Sequence, residues 1–224
     1  MTLLEAIAAR HSVRSYTEEK IQGDTLSALQ QAIEQYNQES GLSMQLCLDD
    51  LATFSGGLAR YGKFENARNY IALVGEKGPK LEETCGYYGQ KLVLLAQQLG
   101  LNTCWVALTF SKRKSKKFIC IKPGQKLLMV IAIGYGTSQG VPRQTKPIEA
   151  LCQATAPLPD WFSRAMEAAQ LAPTAINQQS FSFTLRGNTV SVSSGSGFYS
   201  KTDLGIVKCH FEIGAQGADW HWEA

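Results

Sequence analysis

Three features of the sequence predict a fold of the α+β class. Apolar helical stripes are interleaved with short strand-like runs. The helix "TCGYYGQKLVLLAQ" at 84 to 97 has a loose counterpart, "DLGIVKCHFEIGAQ", at 203 to 216. Near Gly140 the texture changes to "GYGTSQGVPRQTKP", rich in Gly, Pro and small polar residues, which reads as a long surface connection.

The elements follow in order. Thr2-Leu3-Leu4-Glu5 has the form of a capping box, and Leu4, Ile7 and Ala8 make one apolar stripe of a short helix ending near Arg10. Extended chain follows. Asp24 is placed to cap a second helix, in which Leu26, Leu29 and Ile33 recur at helical spacing. "MQLCL" (44 to 48) and "YIALV" (70 to 74) read as strands, the second buried on both faces because it does not alternate. A helix over 84 to 99 stops at Gly100, and "TCWVAL" (103 to 108) and "KLLMVIAIGY" (126 to 135) are strand-like, with a basic helix or loop between them. Beyond the connection come a helix opened by Asp160 and running to about Leu171, a hairpin turning at Gly187-Asn188, and a final helix from about Asp203. Setting the two similar helices in register matches Gly86 with Gly205, Ala96 with Ala215 and Gln97 with Gln216. Because the order of elements before each helix also repeats, a degenerate duplication is the preferred reading over two unrelated amphipathic helices.

The 224 residues can bury a real core, and 44% hydrophobic with 18% charged residues excludes a disordered or collagen-like chain. The charge of +3 is too small to imply nucleic acid. Its division is uneven. Residues 151 to 224 hold four Lys/Arg against six Asp/Glu, net −2, leaving eighteen against thirteen, net +5, in residues 1 to 150, so an anionic ligand would be drawn to the amino-terminal portion. Cysteines 47, 85, 104, 120, 152 and 209 form no C-x-x-C or zinc-finger spacing, so no metal site is expected. With Glu5 in place of a basic leader the thiols are expected to be reduced and the protein cytoplasmic. The longest apolar run, Leu127 to Ile133, is too short for a bilayer.

"RHSVRSY" (10 to 16) concentrates donors. In extended chain Arg10, Ser12 and Arg14 share a face and His11 takes the other, an arrangement that suits a phosphate through forked, charge-assisted hydrogen bonds. The same residues also suit a solvated surface strand. "LAPTAINQQSFSF" (171 to 183) ends a helix at Pro173 and offers Thr174 and Asn177 in a turn; it is equally a plain helix-to-strand connection. "SKRKSKKF" (111 to 118) reads as a solvated face or a patch that steers an anionic ligand, and lacks the interleaved aromatics of a nucleic-acid surface. His210 is expected beside the final helix's apolar stripe rather than as a ligand.

Taken together, "RHSVRSY", "APTAINQQSFSF", "GYYGQKLVLLAQQLGLNTCW" and "MVIAIGYG…VPRQTKP" resemble the flavin-dependent nitroreductase family, over nearly the whole chain. The A-P-T-x-x-N block lies about 160 residues after the first motif, whereas ordinary members carry it soon after, and at that place this chain reads "AIEQYNQESGLSMQL". The resemblance implies a nitroreductase-like fold in which two degenerate halves, 1–150 and 151–224, are fused as a pseudo-dimer with one FMN site per chain, a monomer or weak oligomer. It implies that Arg10, His11, Ser12 and Arg14 bind the flavin, that Pro173, Thr174 and Asn177 reach its ring and ribityl chain, and that Arg143 and Lys146 close on the phosphate. Ala107 and Leu108 match the place where backbone N–H groups meet the flavin, without the Gly often found there. Ser180 and Phe181 stand for the usual Pro-Trp. The implied chemistry is ping-pong: NAD(P)H reduces the flavin, and a small acceptor such as a nitroaromatic or quinone reoxidises it. Arg14, or less directly Lys63, would supply the cation that raises the flavin potential. No side chain is required as a catalytic acid. The alternative is a module that binds or stores flavin without turnover.

Overall fold

The computed structural model describes residues 1–154 and 157–223, with residues 58–60 described by their backbone. The chain divides into two compact units: unit I comprises Met1–Ala8, Glu82–Gln90 and Arg143–Ala224, and unit II comprises Ala9–Leu81 and Lys91–Pro142.

Unit II is built on an antiparallel sheet in the order β1-β2-β4-β3, formed by β1 (Gln45–Cys47), β2 (Tyr70–Glu76), β3 (Asn102–Val106) and β4 (Gln125–Gly134). Every residue from Tyr70 to Gly75 is buried, as the absence of alternation predicts. The central strand β4 pairs with β2 through Ala72↔Val130 and with β3 through Cys104↔Ala132. Helix α2 (Gly23–Ser40) buries Leu29 and Ile33 and ends at Gly41, whose φ of 72° places it in the left-handed region that suits a residue without a Cβ. Asp24 does not cap this helix. It begins two residues earlier, at Gly23 after Gln22, so Asp24 lies inside the first turn, where a carboxylate meets the positive end of the helix dipole. The basic segment forms a single turn, α4 (Lys112–Ser115), capped by Ser111.

In unit I the capping box of α1 (Leu3–Ala9) is present: Thr2 N donates to Glu5 Oε2 at 2.7 Å and Glu5 N to Thr2 Oγ1 at 3.2 Å. A second sheet runs in the order β5-β6-β7-β8, from β5 (Cys152–Gln153), β6 (Phe181–Arg186), β7 (Thr189–Ser194) and β8 (His221–Trp222). Gly187, at φ 62°, opens the expected hairpin turn between β6 and β7. The short parallel partners β5 and β8 have no signature in the sequence. Helix α5 (Asp160–Gln170) packs on α6 (Ser200–Gly214), and Phe162, Phe183 and Phe211 are fully buried, the last two stacked at 4.6 Å. α6 begins three residues before Asp203 because Tyr199, at φ 58°, forms a left-handed cap.

Helix α3 (Leu81–Gln98) gives its residues Glu82–Gln90 to unit I. There it crosses α6 at the two glycines matched in the sequence. A Cβ on Gly86 would lie 2.0 Å from the Thr202 carbonyl oxygen and 3.1 Å from Ile206 N; a Cβ on Gly205 would lie 1.9 Å from the Glu83 oxygen and 2.7 Å from Tyr87 N. Each glycine therefore meets the carbonyl three residues before the other and the amide one residue after it, so the contacts are exchanged pairwise, as in an isologous interface. Lys208 pairs with Glu83 at 2.5 Å beside this crossing, and Tyr87 donates to Glu212. His210 is buried as expected, with Nδ1 2.9 Å from the Ala168 oxygen and Nε2 2.7 Å from the Gln90 amide nitrogen. Donation from Nδ1–H to that carbonyl leaves Nε2 to accept from Gln90, so the imidazole bridges two helices.

Candidate functional site

The donor-rich stretch forms part of unit II. Ser12 bridges to Thr103 of β3 in parallel, with Val13 N donating to the Thr103 oxygen at 3.0 Å, and Tyr16 bridges to Gly136. Val13 and Tyr16 drop into the core and fix the strand's roll. The Gly-rich connection holds it from outside. Thr137 N donates to the Ser15 oxygen, Thr17 N to the Tyr135 oxygen, and Asn102 ties the connection through Gly136 N and Gln139. Gly140 is required there: its φ is 76° and a Cβ would lie 2.8 Å from that of His11.

The simple alternation expected of Arg10, Ser12 and Arg14 is not kept, since Arg10 is buried while Ser12 and Arg14 are exposed. All three nevertheless lie near enough to the Cys104 thiol of β3 to influence its ionisation. Burial pushes that thiol up, while the charge of Arg14, a hydrogen bond from Ser12 and the charge of Arg10 pull it down, in that order. Two guanidiniums and a hydroxyl on one short segment are the donor types a phosphate monoester needs. Cys104 and Asn102 were missed by sequence reasoning, and only their place on an apolar strand beside the motif signals them. Ala107 and Leu108 fall past the end of β3, so the expected strand stops two residues sooner, and Leu108 is 63% exposed. Lys63 is exposed at φ 52°. In the basic segment Lys112 Nζ donates to the Leu128 oxygen and Lys114 Nζ to Ser55, and Arg113, Lys116 and Lys117 are exposed.

The A-P-T-x-x-N segment belongs to unit I. Pro173 is buried, and a short 3-10 turn, Ala175–Asn177, follows Thr174. Ile176, Asn177 and Gln179 have φ of 46°, 56° and 46°. Left-handed backbone costs on the order of 1–3 kcal/mol per residue and persists where its surroundings over-determine it. They do so here. Gln179 N donates to Thr174 Oγ1 at 3.0 Å, Asn177 Nδ2 to the Gln144 oxygen at 2.9 Å, and Lys146 N to Gln179 Oε1 at 2.7 Å. Lys146 Nζ donates to the Gln178 and Gln179 carbonyls at 3.0 and 3.1 Å, and Arg143 donates to the Leu171 carbonyl. Burial lowers the Arg143 guanidinium to about 10. Thr174, Lys146 and Arg143 thus serve the turn itself, and what it presents outward is Asn177 and the Ile176 side chain, 86% exposed. Phe181 is buried against Phe183 at 5.9 Å, and Ser180 donates to the Ser196 carbonyl. Gln144, Gln178, Gln179 and Asp203, all in this network, were not singled out from the sequence.

A family model described as "Putative TM nitroreductase" matches residues 2–215. The chain belongs to this family. Among solved structures, this chain is similar to a putative nitroreductase from Thermotoga maritima, at 23% identity and a TM-score of 0.67, over 96% of this chain and 84% of that one. It also resembles a putative NADH dehydrogenase/NAD(P)H nitroreductase from Bacteroides thetaiotaomicron, at 21% identity and a TM-score of 0.53, over 66% of this chain and 95% of the other. A third, a putative nitroreductase from Desulfovibrio desulfuricans solved in complex with FMN, has 19% identity and a TM-score of 0.52, over 71% and 99% of the two chains. These likenesses establish a nitroreductase fold of the α+β class. No curated protein matches. Among the described residues no helix is long and apolar enough to cross a membrane, and no group of three or more His, Cys, Asp or Glu stands where it would hold a metal ion.

Proposed function

We propose that this nitroreductase-family chain is an FMN-dependent oxidoreductase that uses NAD(P)H to reduce a small acceptor such as a nitroaromatic or quinone. The observation that carries the reading is the place of exposed Ser12 and Arg14, with buried Arg10, on one short extended segment bridged to Thr103 of β3. Arg14 and Ser12, both exposed, would donate to the flavin phosphate, and buried Arg10 would add charge from beneath. FMN, when bound, supplies the hydride-accepting and electron-donating ring; the protein supplies binding, orientation and charge. Contact of Pro173, Thr174 and Asn177 with the flavin is proposed from the family resemblance, as are backbone contacts from Ala107 and Leu108. With Thr174 committed to Gln179 N, the turn would meet a flavin through Asn177 and its backbone.

The paired contacts of Gly86 and Gly205 support a second part of the reading, that residues 1–150 and 151–224 descend from one duplicated unit and act as a fused pseudo-dimer with one flavin per chain. Anaerobic addition of NADH or NADPH to FMN-loaded protein is expected to bleach the visible flavin band, and a nitroarene or quinone to restore it. A flavin that binds but does not bleach would contradict the enzyme and leave the storage module.

A further inference from the structure

Asp203 stands in the first turn of α6 and is 5% exposed. Its two oxygens lie 3.0 and 3.1 Å from the Ala175 backbone nitrogen, and Oδ2 accepts the Gln178 side-chain amide at 2.7 Å. The same Gln178 nitrogen donates to the Phe198 carbonyl at 2.9 Å, so one amide joins the carboxylate, the turn and the chain entering α6. Ala175 immediately precedes the left-handed residues Ile176 and Asn177, with Gln179 just beyond. The acceptor at Asp203 therefore fixes the point at which the unusual backbone begins, and it does so from a helix rather than from another loop.

We propose that Asp203 is the positioning residue of the turn at 174–179, and that its ionised carboxylate holds the left-handed conformation. An ionised carboxylate only accepts, which matches an amide N–H on one side and a side-chain NH₂ on the other. Protonation places a donor where Gln178 already donates. The Gln178 amide must then turn its oxygen to the acid, which surrenders the bond to Phe198, or withdraw from Asp203.

Burial raises the Asp203 carboxyl to about 6, against the smaller pull of the bonds from Gln178 and Ala175. The charged groups on the packed elements are Lys201, Lys208 and Glu212 on α6, Asp160, Arg164 and Glu167 on α5, Glu82 and Glu83 on α3, and Lys146 on the turn's carbonyls, Lys208 being paired with Glu83. Residues 174–179 themselves carry no charge. Burial is thus the leading cause of the shift.

The positioning role stands on unit I alone; only its consequence for flavin rests on the proposed function. In FMN-free protein, the Ala175 amide ¹H–¹⁵N resonance is expected to titrate with a midpoint near about 6, and Asp203→Asn to flatten it. Gln178→Ala, which keeps the carboxylate, is expected to move the midpoint upward by removing a bond to the charged form. An Ala175 resonance that stays still in wild type, or titrates equally in Asp203→Asn, would overturn the proposal. FMN affinity is expected to rise roughly two- to ten-fold as Asp203 ionises in wild type and to lose that dependence in Asp203→Asn. Titration of Ala175 with a flat FMN profile would support the positioning role and overturn the turn's contact with flavin.

Discussion

The stretch 10–16 and the turn 173–179 are the two polar segments that stand out in this chain, yet they solve opposite problems. The first is ordinary extended backbone, pinned by Val13 and Tyr16, which carries two arginines and a serine beside β3. The second is unusual backbone, with three left-handed residues in four, whose polar side chains are largely used to sustain its own shape. One contributes charge and the other contour. The difference teaches that a motif's polar residues are not by themselves evidence of ligand contact: Thr174 and Lys146 belong to the scaffold of the turn, while exposed Ser12 and Arg14 have a side to offer.

The largest expected effect breaks the turn's support while sparing the stretch at 10–16. Gly205→Ala drives a Cβ into the Glu83 carbonyl, which requires α3 and α6 to separate and costs about 3 kcal/mol or more. The melting temperature is expected to fall by roughly 6–12 °C, read by circular dichroism. Next, Arg14→Ala removes charge-assisted bonds and is expected to weaken FMN binding by roughly ten- to a hundred-fold in a fluorescence titration, with little change in the melting temperature of flavin-free protein. Thr174→Ala takes away the acceptor for Gln179 N and is expected to lower stability by about 1 kcal/mol in urea denaturation, even without flavin. The smallest effect has the opposite sign. Ile176→Asn replaces a β-branched residue in left-handed backbone with one that tolerates it, and is expected to stabilise by about 1 kcal/mol, or roughly 2–4 °C.

A pH dependence separates the two segments as well. The folded carboxyl of Asp203 is raised to about 6, above the unfolded value near 3.9, so its contribution to stability is full below that unfolded value and is lost as the pH rises through about 6. Ionised Asp203 thus lowers global stability while it fixes the turn. Asp203→Asn is expected to remove this part of the decline, seen as a smaller difference between denaturation midpoints at acidic and neutral pH.

Much of the fold was legible because it rests on local patterns. The capping box, the doubly buried β2, the hairpin at Gly187 and the paired glycines of α3 and α6 each leave a residue-level trace. The starts of α2 and α6 were misjudged because backbone at Gln22 and Tyr199, rather than the nearest Asp, sets them. β5 and β8 pair over two residues each, too few to leave a pattern. At the site, arginines and turn residues declare themselves by type. Cys104, Gln144 and Asp203 act through tertiary neighbours, and an apolar strand, an ordinary connection and an ordinary helix turn do not announce them.

The claim that Arg10, Ser12 and Arg14 take the flavin phosphate is tested most directly by comparing FMN with riboflavin, which differs only in that phosphate. Wild type is expected to bind FMN far more tightly than riboflavin, and Arg14→Ala to cut that preference at least ten-fold while leaving riboflavin affinity nearly unchanged. Equal affinity for the two flavins in wild type, or an undiminished preference in Arg14→Ala, would contradict it.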